Sequence, residues 1–292
     1  MRPTVAVVLN IDADHLDCYK DIDEIEETFG TYLHLLPENG IAIGNGDDER
    51  VRRQITGLNC RRIFFGTGSE NDWYTDQVVE DELGCSAFML INPCGDPVHI
   101  ELNIPGTFNR MNAVAAAAAA SVLGITPEES AKVLKHFTGA HRRFEKTGEI
   151  DGVEIFHDYG HNPTEMKNAV SIARKRCKEK LWAVMQPHTF SRVRTLFDQY
   201  LTCTKEADFT LVTDICAARE KDPGDLNSGM LVEGMIRHGI NAIWTPSFND
   251  TENYLRNHWS SGDLVLTMGC GDINMLNEQI HRHEQDKAAE RK

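Results

Sequence analysis

Between residues 153 and 268, short apolar runs at 155–157, 181–185, 209–213, 242–244 and 264–268 alternate with amphipathic segments near 164–176, 192–204, 226–238 and 249–258. Few architectures accept that pattern. Short runs rich in Val, Leu and Ile and bounded by polar residues read as strands buried on both faces, and the segments between them carry apolar residues at helical spacing. Strands that alternate with helices imply an α/β fold with a mostly parallel sheet and right-handed crossovers. Ligands of such sheets bind along the rim formed by the carboxyl ends of the strands.

Three strand ends in this part of the chain are rich in polar residues. Residues 154–169 read EIFHDYGHNPTEMKNA, in which a β-prone run ends in Asp158, Tyr159, His161 and Asn162 before Pro163 opens a helix. A plainer reading is a polar turn in which Asn162-Pro163 starts a helix. The second end is Gln186-Pro187-His188-Thr189-Phe190-Ser191-Arg192, where His188 and Arg192 can hold a carboxylate or a developing oxyanion. The third, Met268-Gly269-Cys270-Gly271-Asp272, exposes backbone amides before the last helix, a weak anion signal alone. Arg142-Arg143 offers guanidinium groups to an anion, although paired arginines also serve as a plain solvated face.

The first half reads differently. Residues 4–9 (TVAVVL) form a buried parallel strand that ends in Asn10, Asp12, Asp14, His15 and Asp17. That corner suits divalent-cation, phosphate or acid–base chemistry, and a helix cap at Asp12 or Asp14 is the structural alternative. An amphipathic helix spans 22–36, strands follow at 41–43 and 62–65, and residues 47–50 start a short helix. Residues 73–102 read as short antiparallel strands with turns at Asn92-Pro93 and Gly95-Asp96. An alanine-rich helix to Leu123 is able to lie close against a sheet, and a further helix runs to about Phe137. A domain boundary is expected at 138–143.

Composition excludes several classes. A net charge of −15 argues against a nucleic-acid scaffold, although a local basic cluster can still bind a small anion. The eight cysteines include no C-x-x-C pair, which removes zinc-ribbon and thioredoxin readings, and thiols kept reduced in the cytoplasm are expected. The opening apolar run is too short for a signal peptide, and residues 113–120 are too few to span a bilayer. A cytoplasmic protein without a membrane partner is expected.

The segments IDADHLD, PGTFNRMNAVAAAAA, GAHRRFE, HDYGHNPTEM, QPHTFSRVRTLFDQY and MGCGDI occur in an order that resembles the ATP-dependent Mur ligases, over residues 5–273. The DYGHNPTE and QPHTFSR loops are most similar to the branch that joins L-alanine to UDP-N-acetylmuramate in peptidoglycan synthesis. The resemblance implies that ATP phosphorylates a carboxylate and that an amine attacks the acyl phosphate, with Mg2+ and arginine around the transferring group. It further implies that His15 binds magnesium, Asn109 contacts adenine, Arg143 the γ-phosphate and Asp158 the ribose. Tyr159, His161, His188 and Arg192 are implied to line an amino-acid pocket, with Arg143 and His188 closest to the chemistry. Phe108, Asn162 and Thr189 depart from residues usual in this branch, which bears on fine substrate contacts only.

The family also carries a UDP-sugar domain and a phosphate loop ahead of the region matched here. No G-x-x-x-x-G-K-[ST] occurs in these 292 residues; Gly66-Thr67-Gly68 lacks the lysine, and Gly44-Asn45-Gly46 is followed by acids. The expectation is therefore a truncated central ATPase-type α/β domain at 1–138, followed by a Rossmann-like C-terminal domain at 139–292. Such a portion is expected to be inactive alone. A non-catalytic nucleotide- or amino-acid-binding module, or a subunit that pairs with another chain, is the rival; folate-chain ligation is a weaker third reading.

Overall fold

A computed structural model describes residues 2–14 and 18–290. Two compact units divide the chain, Met1–Thr138 and Gly139–Lys292, and each contains a six-stranded sheet.

The first unit runs β1 (Val5–Val8), α1 (Ile22–Leu33), β2 (Ile41–Asn45), α2 (Glu49–Thr56), β3 (Arg61–Gly66), β4 (Trp73–Glu80), β5 (Cys85–Ile91), β6 (Val98–Pro105), α3 (Thr107–Val122) and α4 (Pro127–His136). Its strands lie side by side in chain order. β1 to β4 are parallel, and β5 and β6 add antiparallel. Ala6 and Val8 of β1 pack with Ile25 and Leu33 of α1 and Val51 and Ile55 of α2. A second cluster joins Ile43, Phe65, Trp73, Phe88 and Ile100 to the alanines of α3. Alanine at 113, 115, 117 and 118, all buried, places the α3 backbone close to its neighbours with no side-chain entropy to lose.

Caps decide where the first helices begin. The Asp21 carboxylate accepts from the amides of Asp23 and Glu24, so Asp21 caps α1, and Asp12 and Asp14 do not. Asp48 caps α2 through the amides of Arg50 and Val51, and its other oxygen accepts from Ile11 N at 3.0 Å, which ties the end of β1 to α2. Gly44 lets α2 sit on β2, because a Cβ there would stand 2.2 Å from Ile55 Cδ1 and 2.8 Å from Val51 Cγ1. Gly44→Ala is expected to destabilise the first unit by about 1–3 kcal/mol through overpacking. Urea unfolding with an unchanged midpoint would contradict this.

The second unit runs β7 (Glu145–Ile150), β8 (Val153–Asp158), α5 (Pro163–Arg176), β9 (Leu181–Met185), α6 (Phe190–Thr195), α7 (Phe197–Tyr200), β10 (Phe209–Val212), α8 (Ser228–Arg237), β11 (Ala242–Trp244), α9 (Phe248–His258), β12 (Leu264–Met268) and α10 (Asn274–Glu290). The order across the sheet is β11-β10-β9-β12-β8-β7. All neighbours are parallel except β7, which pairs antiparallel with β8. Sequence patterning misses β7, since EKTGEI has a single large apolar residue and lies at the sheet edge. Its hairpin turns at Asp151-Gly152, both at positive φ (50° and 80°), as a two-residue loop between twisted strands requires. The single helix expected at 192–204 is instead two short ones that part at Leu196.

Leu255 of α9 and Leu276 and Ile280 of α10 pack with Ile155, Trp182, Val184 and Val265 of the sheet. Buried Met166, Ala169, Val170 and Ala173 of α5 meet β9 and β12. The chain steps outward from β8 through β9 and β10 to β11, then returns to insert β12 between β9 and β8. The loops after β8 and β9 are therefore not on adjacent strands, and the last strand separates them. A reversal of this kind opens a crevice at the carboxyl ends of the strands.

Candidate active site

Loops after β8, β12, β9 and β10 share one rim. At the first, Asp158 is fixed by backbone donors: Phe144 N at 2.8 Å and Gly160 N at 2.6 Å. Burial pushes its carboxyl above the usual carboxylate range, while those amides and the nearby Arg143 act against the rise. The loop closes on a capping box, in which Asn162 Oδ1 accepts from Glu165 N at 2.9 Å and Glu165 Oε2 accepts from His161 N at 3.0 Å and Asn162 N at 3.4 Å. Asn162-Pro163 thus starts the helix as the plain reading had it, and the polar loop is held rigid in consequence.

The two histidines differ in whether Nδ1 carries a proton. His161 Nδ1 lies 3.2 Å from the Tyr159 carbonyl and 3.4 Å from Glu165 Oε2, both acceptors, so Nδ1 carries a proton. His188 is the reverse. Arg192 Nη1 donates to its Nδ1 at 3.1 Å and to its carbonyl at 3.3 Å, which puts the His188 proton on Nε2. The rings stand 6.2 Å apart, edge to face, and Tyr159 meets the His161 ring at 5.8 Å. Tyr200, one helical turn beyond α6, donates from its hydroxyl to the His161 carbonyl at 2.6 Å.

Arg192 is only 9% exposed. His188 bridges to Cys216 after β10, where Thr189 N donates to the Cys216 carbonyl at 2.9 Å and Cys216 N to the Pro187 carbonyl at 2.8 Å. Burial pushes the Cys270 thiol up to about 11, with Arg192 opposing, so Cys270 and Arg192 lie at the same end of the sheet. The structure therefore brings Tyr159, His161, His188 and Arg192 together. Gln186 and Asp272 join β9 to the last loop, with Gln186 Nε2 donating to Asp272 Oδ1 at 2.7 Å.

Sequence reasoning did not find His157. It is 1% exposed; Arg142 Nε donates to its Nε2 at 3.0 Å, and its Nδ1 meets Thr267 Oγ1 at 3.0 Å. Burial, and then the Arg142 charge, lower its pKa to about 4. The unfolded chain takes up this proton near pH 6.5 and the folded chain only near 4, so the stability from a neutral ring is complete above 6.5 and is lost as the pH falls toward 4. Between pH 7 and 5 the second unit is expected to lose about 2 kcal/mol. His157→Gln retains an acceptor for Arg142 and a donor for Thr267, and should flatten that dependence. Hydrogen exchange of β8 and β12 amides, corrected for intrinsic rates, reads it; equal slopes in the two proteins would contradict the assignment.

Arg143 is exposed, with its guanidinium 5.4 Å from the Tyr159 ring. Asn109 belongs to the first unit, half-buried in the first turn of α3, where Nδ2 donates to the Pro105 carbonyl at 2.7 Å. His15 lies outside the described residues. Among the described residues no group of three His, Cys, Asp or Glu side chains is disposed to hold a metal ion, and no helix is long and apolar enough to cross a membrane.

Two α/β units, the second with a polar rim at the switch point of a parallel sheet, define an α/β protein with a crevice of the kind in which such sheets bind ligands. The chain belongs to the Mur ligase family: residues 1–120 match the Mur ligase middle domain, and residues 142–271 match the Mur ligase glutamate ligase domain. It is 38% identical over 285 residues to a UDP-N-acetylmuramate–L-alanine ligase of Acetivibrio thermocellus, covering 97% of this chain and 61% of that protein. The like-named ligase of Clostridium acetobutylicum is 39% identical over 278 residues, covering 95% and 60%. The chain thus spans about three-fifths of the length of these relatives. Among solved structures, the UDP-N-acetylmuramate–alanine ligase of Thermotoga maritima is similar with a TM-score of 0.77 at 19% identity, over 98% of this chain and 60% of that one. The MurF ligase of the same organism, in complex with ADP, gives 0.74 at 18%, over 98% and 63%. At those identities the likeness is one of fold.

Proposed function

We propose that this chain is the ATP-binding middle domain (1–138, in part) and the amino-acid-accepting C-terminal domain (139–292) of a cytoplasmic ligase that joins L-alanine to UDP-N-acetylmuramate. The observation that carries the reading is the opposite Nδ1 contacts of two histidines beside a buried arginine. An amine that attacks an acyl phosphate must first lose its proton, and His161, whose Nδ1 faces the Tyr159 carbonyl, is the imidazole assigned to receive it. The transition state also gathers negative charge on oxygen, and His188 Nε2–H is a donor for it, held in that tautomer by Arg192. Arg192, whose Nη1 also donates to His188 Nδ1, pairs with the α-carboxylate. His188 therefore acts as donor rather than base, a narrower role than the residue type alone implied.

Asp158, half-buried and gripped by amides, serves the ribose hydroxyls, and exposed Arg143 neutralises the γ-phosphate. Asn109, in the first unit, stays the sequence candidate for an adenine contact. Magnesium supplies charge neutralisation at the phosphates in this chemistry; its sequence candidate is His15. Titration of the isotopically labelled chain with L-alanine tests the pocket. The ring signals of His161 and His188 and the Arg192 guanidinium should shift together, and D-alanine should move them less. Shifts confined to other residues would remove the amino-acid pocket from this rim.

The absence of G-x-x-x-x-G-K-[ST] from these 292 residues favours a second reading. In it the chain binds amino acid and nucleotide but completes a turnover only with a further polypeptide segment that carries the phosphate loop.

A further inference from the structure

Arg142 is held at many points, and one of them is Tyr159 of the proposed amino-acid pocket. Its backbone sits at φ +60°, a region that a branched or long side chain enters at a cost. Its amide donates to Glu145 Oε2 at 2.7 Å, and its carbonyl accepts from Tyr159 N at 2.7 Å. Nε donates to His157, and Nη2 reaches the carbonyls of Gly269 at 3.5 Å and Gly271 at 3.3 Å. The face of the guanidinium lies 4.8 Å from the Tyr159 ring centroid.

We propose that Arg142 is the positioning residue of the amino-acid pocket: one planar guanidinium sets the Tyr159 ring and the 269–271 turn in fixed relation to β8. The inference rests on the pocket reading above for its functional consequence. Only a rigid fork with a flat face makes these contacts at once. Nε must point at a neutral imidazole and Nη2 at two carbonyls while Cζ lies over a ring, which a lysine ammonium cannot do. The His157 ring accepts because burial keeps it neutral, and its other nitrogen is anchored on Thr267, whose hydroxyl donates to the Phe156 carbonyl at 3.2 Å.

The turn that Arg142 grips has little slack. Gly269 N donates to the Asp158 carbonyl at 3.1 Å, and a Cβ on Gly271 would stand 2.4 Å from Gln186 Oε1. Each gripped carbonyl belongs to a planar trans peptide, so the amides of Cys270 and Asp272 are turned away from the guanidinium. Tyr159 in turn meets the edge of His161, the proposed proton acceptor. Displacing one ring by about 1 Å is enough to cost of order 100-fold in a reaction that depends on alignment.

The test compares the wild-type chain with Arg142→Ala and Arg142→Lys by nuclear magnetic resonance. In both variants the Tyr159 ring signals and the Cys270 and Gly271 amides should shift, the amide pattern of β9 and β10 should stay, and L-alanine should bind at least ~10-fold more weakly. In Arg142→Ala the His157 titration should also move up from about 4, since the arginine charge is gone. A merely structural role would lower stability and leave those ring and amide signals in place in the folded variant. Unchanged signals, or unchanged L-alanine affinity in a folded variant, overturn the proposal. Should the alanine variant fail to fold, Arg142→Lys keeps the charge and the stem and decides the matter. If the wild-type chain binds no L-alanine, the pocket reading fails, and the ring and amide shifts alone decide whether Arg142 positions this rim.

Discussion

Purified alone and supplied with ATP, UDP-N-acetylmuramate and L-alanine, the 292-residue chain is expected to release ADP at least ~10^4-fold more slowly than an ordinary enzyme turns over. Catalysis of phosphoryl transfer is positioning plus electrostatic stabilisation, and the missing motif supplies amides, a lysine and a hydroxyl to that end. Each such donor is worth roughly 10²–10³ in rate. The glycine loops that are present do not replace it. Thr67 N and Oγ1 are both committed to Asp47 Oδ2, at 2.8 and 2.9 Å, and Asp47 N is committed to Asn45 Oδ1 at 3.0 Å. The Asp47 carboxylate and the Asn45 amide oxygen therefore occupy the donors that a phosphate would need. A coupled ADP-release assay measures this, and turnover near one per second would refute it. Addition of the segment of the Acetivibrio relative that lies outside the 61% matched here, as a separate polypeptide, is the natural control.

Arg192→Ala is expected to weaken L-alanine binding by about 1.5–3 kcal/mol, roughly 10- to 150-fold, and to leave ATP affinity unchanged. Two effects add in that variant. The α-carboxylate loses a charge-assisted partner, and His188 Nδ1 loses the donor that fixes its tautomer. Asp158→Ala should do the opposite, weakening ATP with little effect on L-alanine, because its oxygens face the amides of Phe144 and Gly160 and not the histidine pair. Calorimetric titration of each variant with each ligand separates the two. A loss of ATP affinity in Arg192→Ala with L-alanine binding intact would exchange the two sites and end the present assignment.

The strands of the second sheet and their loops were legible in the sequence because buried parallel strands are written as short apolar runs, and a strand end loaded with Asp, Tyr and His has little reason to be so for folding alone. Asn162-Pro163-x-Glu165 likewise announces a helix start by local chemistry. β7 was not legible, since an edge strand with one buried isoleucine carries almost no periodic signal. His157 was passed over because it sits in an apolar run, and Arg142 was read only as one of an arginine pair that meets an anion or solvent.

What the sequence determined by itself was local: which segments form strands and helices, which loops hold polar groups, and which family they resemble, because propensity, capping and patterning act over a few residues. What only the tertiary structure decided was non-local. The insertion of β12 between β8 and β9 brings Gly269 and Gly271, 127 and 129 residues distant in the chain, onto the Arg142 guanidinium. The Nδ1 contacts of His161 and His188 were likewise fixed by which acceptor or donor the fold set against each ring, and burial together with the Arg142 charge made His157 neutral. Hydrogen-bond direction and desolvation depend on neighbours in space, and no spacing along the chain encodes them.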